Sequence, residues 1–126
     1  MQFPDTLRYT KEHEWVRIEG TRARVGITDF AQDSLGDVVF IQLPEVGLSV
    51  EQGTSVCEVE STKSVSDIYA PLPGVLVAVN ESLKSAPELV NHDPYGEGWI
   101  LEIDASEPVD VESLLDSEAY RGLVEG

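Results

Sequence analysis

Lysine is rare in this sequence, and one lysine stands where its amine could be put to chemical use. In a chain of 126 residues, lysine occurs only as Lys11, Lys63 and Lys84. Lys63 lies between Thr62 and Ser64, with runs rich in Val, Ile and Tyr on both sides. Such runs predict two strands, so Lys63 would lie at the tip of a hairpin. A lysine there either aids solubility, which is the commoner case, or serves as an attachment point for a covalent group.

The other reactive residue types do not form a recognisable catalytic or metal site. His13 and His92 are too far apart in the sequence to have the spacing of zinc ligands. The acidic segment 93–98 lacks the alternating carboxylates and the distal glutamate of an EF-hand loop. The single cysteine, Cys57, is interpreted as a small buried thiol in a strand. With no Ser–His–Asp order and no phosphate-binding glycine loop, the sequence predicts neither a catalytic residue nor a metal ligand.

The charge of the chain limits the partners that it can have. It contains 24 acidic and 8 basic residues, for a formal net charge of −16. Such a surface repels phosphate backbones and anionic membranes, so we expect neither nucleic acid nor a membrane as partner. No apolar run has the length of a membrane span, and the N-terminus resembles neither a signal peptide nor a transit peptide. We expect a cytoplasmic monomer, or a mitochondrial protein if the chain is a processed eukaryotic form.

Short strands at close spacing surround Lys63. Alternating and continuous apolar runs predict strands at 15–18, 23–27, 38–43, 55–60, 65–69, 75–79 and 99–103. The first two form a hairpin, and 38–43 is predicted to be a buried central strand. A weak internal repeat relates the strands before Lys63 to those after it, each half being a buried strand, a connection ending in glycine and a second strand. These patterns predict one domain, residues 1–126, with an antiparallel sandwich or barrel.

A short helix is predicted directly after the first hairpin. Thr28 or Asp29 would cap it, since both side chains can accept hydrogen bonds from the first free N–H groups of a helix. The helix would run from 30 to 35 and end at Gly36, a residue that tolerates the backbone conformation needed at a helix C-terminus.

Further short helices are predicted in the second half of the chain. One would span residues 88–90, capped by Ser85 or Ala86. After Pro108, Asp110 would cap an amphipathic helix, and a second C-terminal helix would restart at Ser117. The apolar faces of these two C-terminal helices would be formed by Val111, Leu114, Leu115, Tyr120, Leu123 and Val124.

A longer stretch around Lys63 resembles one protein family. Residues 58–69, together with Pro71 and Gly74, resemble the lipoylation segment of the glycine cleavage system H proteins. Further blocks are similar to the same family in the same order, at residues 13–16, 26–33, 35–39, 43–44, 80–81, 89–91 and 93–99. Because these blocks cover nearly the whole chain without a large insertion, together they identify the family more specifically than any single block does.

The resemblance implies a carrier rather than an enzyme. The lysine that corresponds to Lys63 bears lipoate in amide linkage, and the carrier would shuttle the aminomethyl group of glycine. The implied partners are a pyridoxal-phosphate glycine decarboxylase, a tetrahydrofolate-dependent aminomethyltransferase, the flavin (FAD) enzyme dihydrolipoyl dehydrogenase and a lipoate-attaching enzyme. The implied fold is mainly β, the lipoyl/biotinyl barrel-sandwich hybrid with added helices, which agrees with the strand pattern.

The resemblance also points to residues that would shelter the lipoyl arm. An aminomethyl group bound to sulfur hydrolyses readily, so a carrier benefits from a cleft that excludes water. Glu14 is the first candidate to pair with the ammonium, and Asp67 is a second polar contact. Ser34 stands where some members of the family carry histidine, so that contact would be weaker or missing here. By composition alone, Glu14 would be one exposed acid among 24.

Three alternatives to this function remain open at the level of the sequence. The lipoyl-lysine could serve mainly as a donor that relays lipoate to other complexes. A biotin carrier on a shared fold is disfavoured, because biotinylated lysines typically lie between methionines whereas Lys63 lies between Thr62 and Ser64. In the third alternative, the chain is an unmodified interaction domain in which Lys63 is inert.

Overall fold

A computed structural model describes residues 1–125, and within that range nine strands form a six-stranded and a three-stranded sheet. The strands are β1 (Arg8–Tyr9), β2 (Glu14–Glu19), β3 (Arg22–Ile27), β4 (Val38–Gln42), β5 (Ser49–Val50), β6 (Ser55–Ser61), β7 (Val65–Tyr69), β8 (Gly74–Val79) and β9 (Leu101–Asp104). The larger sheet has the order β1-β2-β3-β9-β8-β5, and the smaller has the order β4-β6-β7. Paired neighbours are antiparallel. The expected mainly β, barrel-sandwich architecture is confirmed.

Apolar side chains from both sheets form the main core. In β9, alternation buries Leu101 and Ile103, and they join Val25 of β3 and Val59 of β6 in one cluster. A second, aromatic cluster lies beside the N-terminus and contains Phe3, Leu7, Tyr9, Trp15 and Tyr120. Trp15 and its neighbours thus hold the two ends of the chain against β2, which carries Glu14.

The predicted hairpins are present. Strands β2 and β3 pair with Val16 opposite Val25. Strands β6 and β7 pair with Glu60 opposite Val65, which leaves Lys63 in the short connection between them. The strand pairs on which the internal repeat was based, β4–β6 and β8–β9, are each antiparallel neighbours, while the repeat itself stays a prediction.

Helix α1 spans Asp29–Leu35 and agrees with the sequence pattern at both ends. Thr28 is the N-cap, because its Oγ1 accepts a hydrogen bond from the Ala31 N–H at 3.2 Å. Gly36 follows the helix with φ 82° and ψ −158°, and its N–H donates to the Gln32 carbonyl.

Strand β4 is not the buried central strand that its apolar run predicted. It lies at the edge of the smaller sheet, where Val39 and Phe40 are 54% and 52% exposed. An irregularity in the register between Val38 and Phe40 interrupts the alternation of side chains. A run of apolar residues cannot by itself distinguish a central strand from an edge strand, so the prediction was wrong about its place in the sheet.

The helices of the second half differ from the prediction in detail. An unpredicted 3₁₀ turn, Glu81–Lys84, is capped by Asn80. Helix α2 is Leu89–His92, and the residue at its start is Glu88, without a side-chain cap, so neither Ser85 nor Ala86 caps it. None of the helices within residues 1–125 is long and apolar enough to cross a membrane.

The first of the predicted C-terminal helices is reduced to one turn. Asp110 does cap it, accepting from the Glu112 N–H at 3.0 Å, but the 3₁₀ turn Val111–Ser113 then stops. Leu115 instead exchanges two backbone hydrogen bonds of 2.8 Å with Tyr9. This distant backbone pairing replaces local helix formation. Helix α3, Ser117–Glu125, forms as predicted and buries Tyr120, whereas Leu123 is exposed.

The turn after α1 is built against the Lys63 hairpin. The Thr62 N–H donates to the Asp37 carbonyl at 3.0 Å. The amide of Asn91 holds the other side, donating to the Gly36 carbonyl and accepting from the Val38 N–H, both at 2.8 Å. A Cβ on Gly36 would lie 3.2 Å from Lys63 Cε. The aliphatic stem of Lys63 therefore packs over a residue that has no side chain.

We expect Gly36→Ala to lower the free energy of unfolding by about 1–3 kcal/mol, measured by chemical denaturation. The backbone of Gly36 has positive φ with extended ψ, which is open almost only to glycine, and a methyl group would press on Lys63. Gly20→Ala is the matched control, since Gly20 also has positive φ (+63°) but nothing lies within 4 Å of a Cβ there. Equal losses in the two variants would contradict this account of Gly36.

Candidate functional site

Lys63 projects from a tightly hydrogen-bonded connection between β6 and β7. The Ser61 hydroxyl oxygen accepts hydrogen bonds from the N–H groups of Lys63 and Ser64, both at 3.1 Å. The Ser61 N–H in turn donates to the Ser64 carbonyl at 2.8 Å. The side chain of Lys63 is exposed, and among residues 1–125 no carboxylate forms a salt bridge with it. The site thus presents an unpaired primary amine on a constrained backbone.

A groove of about 250 Å³ runs between α1 and β7, and Ser64, the residue after Lys63, contributes to its lining. Two of the predicted arm-sheltering residues, Ser34 and Asp67, lie in it together. Asp67 Oδ1 also accepts a hydrogen bond from the Ser55 hydroxyl at 3.1 Å. Most of the remaining wall is apolar and includes Ile27, Phe30, Ala31, Leu35 and Ile68. A groove of this composition suits an aliphatic chain that ends in a small polar or polarisable group.

Glu14 lies in a neighbouring cavity of about 280 Å³ rather than in the groove with Ser34 and Asp67. Glu12 lines both spaces. The structure therefore separates the first candidate from the other two, although all three lie around β7. Glu14 is also not the exposed acid that composition alone suggested, because its side chain is only 1% exposed.

Two hydrogen bonds hold the Glu14 carboxyl group. The Thr10 hydroxyl donates to Oε1 at 2.8 Å, and the Tyr69 N–H donates to Oε2 at 2.9 Å. Burial raises the pKa of Glu14 to about 7, and both hydrogen bonds oppose that rise. Because desolvation outweighs the hydrogen bonds, the carboxyl group lies close to its protonation midpoint at neutral pH.

Sequence reasoning missed His13, to which it assigned no role. His13 lines the groove beside Ser34 and Asp67, and its backbone has a positive φ of 70°. Its Nδ1 lies 2.8 Å from the Tyr120 hydroxyl, and its ring packs against Phe30 with centroids 4.8 Å apart. Its place beside Glu14 in the family-like block 13–16 was a signal that could have found it, whereas neither the backbone conformation nor the contact with Tyr120 can be read from local pattern.

Cys57 and the possible metal ligands are the other groups that could carry chemistry. Cys57 is buried, and burial raises the pKa of its thiol to about 12, so it is protonated at neutral pH and unsuited to act as a nucleophile. Within the described residues, 1–125, no group of His, Cys, Asp and Glu side chains is arranged to hold a metal ion.

Comparison with known proteins yields one consistent family. The family model described as "Glycine cleavage H-protein" matches residues 7–126. A glycine cleavage system H protein from Anaeromyxobacter sp. (strain K) is 53% identical over 125 residues, covering 99% of this chain and 98% of that protein. The protein of the same name from Mycobacterium avium (strain 104) is 60% identical over 124 residues, covering 94% of both chains.

Similarity extends to a solved structure. The crystal structure of a glycine cleavage system H protein from Mycobacterium marinum superimposes with a TM-score of 0.88 at 42% sequence identity, covering 98% of this chain and 99% of that one. The match includes the strands and helices around Lys63, since nearly all of both chains is superimposed. The chain described here belongs to the glycine cleavage H-protein family.

Proposed function

We propose that this protein is the lipoyl carrier of a glycine cleavage system and that lipoate is attached in amide linkage to Nζ of Lys63. The observation that carries the proposal is the exposed, unpaired amine of Lys63 on a constrained hairpin beside a groove of about 250 Å³ with both apolar and polar walls. Membership of the family supports the same conclusion. An exposed amine is what an attaching enzyme needs, and the apolar wall fits a hydrocarbon arm.

When bound, lipoate would supply a disulfide that accepts the aminomethyl group of glycine and is later regenerated by oxidation. The proposed partners are glycine decarboxylase, the aminomethyltransferase, dihydrolipoyl dehydrogenase and the lipoate-attaching enzyme. The chain itself contributes presentation and shelter rather than a catalytic group. With a net charge of −16, it would dock most favourably on basic surfaces of these partners.

The groove would protect the cargo by excluding water. Phe30, Leu35 and Ile68 provide apolar surface against which the arm can lie. Ser34 and Asp67 provide polar atoms along the same groove. Because Ser34 and Asp67 both line the groove, they are proposed as contacts of the arm. The arm would enter the groove from the hairpin that carries Lys63.

Glu14 is proposed to pair with the ammonium of the cargo, with the end of the arm reaching from the groove into the neighbouring cavity, since Glu12 lines both spaces. Each carboxylate oxygen has a further lone-pair position beyond the hydrogen bonds from Thr10 and Tyr69. A cation beside a buried carboxylate lowers its pKa and relieves the cost of its burial. The raised pKa of Glu14 is therefore a reason for it to attract a cationic group.

The attachment site is tested by intact mass and peptide mapping of protein purified from its native host. We expect one lipoyl adduct on the peptide that contains Lys63. Lys63→Arg should abolish the adduct, because the amide requires a primary amine, while Lys84→Arg as the matched control should leave it unchanged. Unmodified protein from lipoate-replete cells, or an adduct confined to Lys11 or Lys84, would contradict the proposal.

The role of Glu14 is tested by the stability of the cargo. In lipoylated protein loaded with the aminomethyl group, Glu14→Gln should speed release of formaldehyde and ammonia on the order of tenfold or more, since one charge-assisted interaction is lost. Lipoylation should proceed normally. Glu19→Gln, at the exposed end of the same strand, is the control and should keep the wild-type rate. An unchanged rate in Glu14→Gln would exclude Glu14 as the partner of the ammonium.

The ionisation of Glu14 predicts a pH dependence of stability. Its pKa of about 7 in the folded protein lies above the ordinary value of 4.5, so the folded state binds more protons between these values. The stability of the wild type relative to Glu14→Gln should therefore fall by about 3 kcal/mol as pH rises from 4.5 to 7, and stay level outside that window. Denaturant unfolding of both proteins across this range measures the difference, and a flat difference would refute the ionisation argument.

A further inference from the structure

A buried chain of hydroxyl groups links the groove to the C-terminal helix. Thr28 Oγ1 lies 2.7 Å from the Tyr120 hydroxyl oxygen, which lies 2.8 Å from His13 Nδ1. Thr28 and Tyr120 are fully buried, whereas His13 is half-buried and lines the groove. The chain therefore connects interior groups to a histidine that faces the proposed position of the arm.

The number of available hydrogens determines which group donates in each hydrogen bond among Thr28, Tyr120 and His13. Thr28 Oγ1 already accepts a hydrogen bond from the Ala31 N–H as the cap of α1. Among the hydrogen bonds of residues 1–125, the Tyr120 oxygen is the acceptor within reach of the Thr28 hydroxyl hydrogen. If Tyr120 instead donated to Thr28, that hydrogen would be left unpaired in the interior, which folded proteins avoid. Thr28 therefore donates to Tyr120, and Tyr120 donates to His13 Nδ1.

This direction determines the tautomer of His13. A ring nitrogen that accepts a hydrogen bond carries no proton, so the neutral ring is protonated at Nε2. Burial lowers the pKa of His13 and so also favours the neutral ring, while the negative charge of Glu12 acts in the opposite direction. Within residues 1–125, Nε2 has no hydrogen-bond partner, and no buried side-chain nitrogen or oxygen is left unpaired. Nε2 is therefore accessible from outside the protein.

The backbone holds this ring in place. The His13 N–H donates to the Thr10 carbonyl, and the Thr28 N–H donates to the His13 carbonyl, both at 3.1 Å. With its positive φ and its contact with Phe30, the ring is fixed in orientation before any ligand arrives. Such preorganisation lowers the entropic cost of a later hydrogen bond.

We propose that neutral His13 offers its Nε2–H as a hydrogen-bond donor to an acceptor atom of the arm in the groove, a carbonyl oxygen or a sulfur, and that Tyr120 is the positioning residue that sets this tautomer. The inference rests on the proposed function, because that function places the arm in the groove. It gives Tyr120, which is buried and cannot touch the arm, a role beyond packing.

The tautomer is tested first in the unmodified protein by long-range ¹H–¹⁵N NMR of the histidine rings. We expect His13 to be protonated at Nε2, and Tyr120→Phe, which keeps the aromatic packing but removes the donor, to abolish that preference. A wild-type His13 protonated at Nδ1 would overturn the proposal, as would a Tyr120→Phe spectrum with the same tautomer. His92, which is exposed, is the internal control.

The contact with the arm is tested in lipoylated protein with His13→Asn. Asparagine tolerates positive φ, and its Oδ1 can take the place of Nδ1 as acceptor from Tyr120, while its shorter amide places no donor at the position of Nε2. We expect loss of the loaded cargo to be about fivefold faster than in wild type and in the His92→Asn control. The wild-type Nε2 resonance should also shift on lipoylation.

The two proposals fail in different ways. Lipoylation at Lys63 with an unchanged Nε2 resonance and an unchanged rate in His13→Asn would overturn the role of His13 and leave the carrier function standing. Absence of lipoate on Lys63 would overturn the carrier function and, with it, the contact with the arm. The tautomer measurement in unmodified protein decides the role of Tyr120 in either case.

Discussion

The hydrogen bond from the Tyr69 N–H to Glu14 joins the two sheets at the place on which the site depends. Glu14 belongs to β2 of the larger sheet and Tyr69 to β7 of the smaller. The edge of β7 that faces away from β6 has no further strand in its sheet, and a carboxylate there satisfies a backbone donor that would otherwise lose its partner. The groove, the second cavity and the Lys63 hairpin all border this strand.

Placing a carboxyl group at that junction has an energetic cost that bears on function. A buried glutamate is stable when it is protonated or when a cation stands beside it. The hydrogen bonds from Thr10 and Tyr69 reduce the cost without removing it, because the pKa remains near 7. The same hydrogen-bonded carboxyl group that bridges the two sheets therefore retains a preference for positive charge next to the proposed path of the arm.

The platform for Lys63 is made by residues that lie far from it in the sequence. Asn91 fixes the turn at Gly36, and that turn receives the hairpin backbone through Asp37 and Thr62. In the wall of the groove, a hydrogen bond with Tyr120 of α3 holds the ring of His13. A long, flexible arm reaches its binding site reproducibly only if its point of attachment is constrained. The rigidity of these loops therefore matters as much as the exposure of the amine.

Much of the fold and part of the site could be predicted from the sequence, because their signals are local. Alternation of apolar residues is enough to place β2, β3, β6 and β7, and cap chemistry is enough to place Thr28 and Gly36 at the ends of α1. The position of Lys63 between β6 and β7 follows from the same local patterns. Resemblance to a family, rather than pattern, singled out Glu14 and Asp67.

Only the tertiary structure decided which of these residues meet. The edge position of β4 depends on which strands pair, and the burial of Glu14 depends on Tyr69, which is 55 positions away. The pairing of Leu115 with Tyr9 removed a predicted helix, and the contact with Tyr120, 107 positions away, gave His13 its place in the groove. Short-range periodicity carries no information about such contacts. The sequence by itself therefore determined most of the strands, the two ends of α1 and the position of the lysine, while the environment of each side chain came from the packing of distant segments.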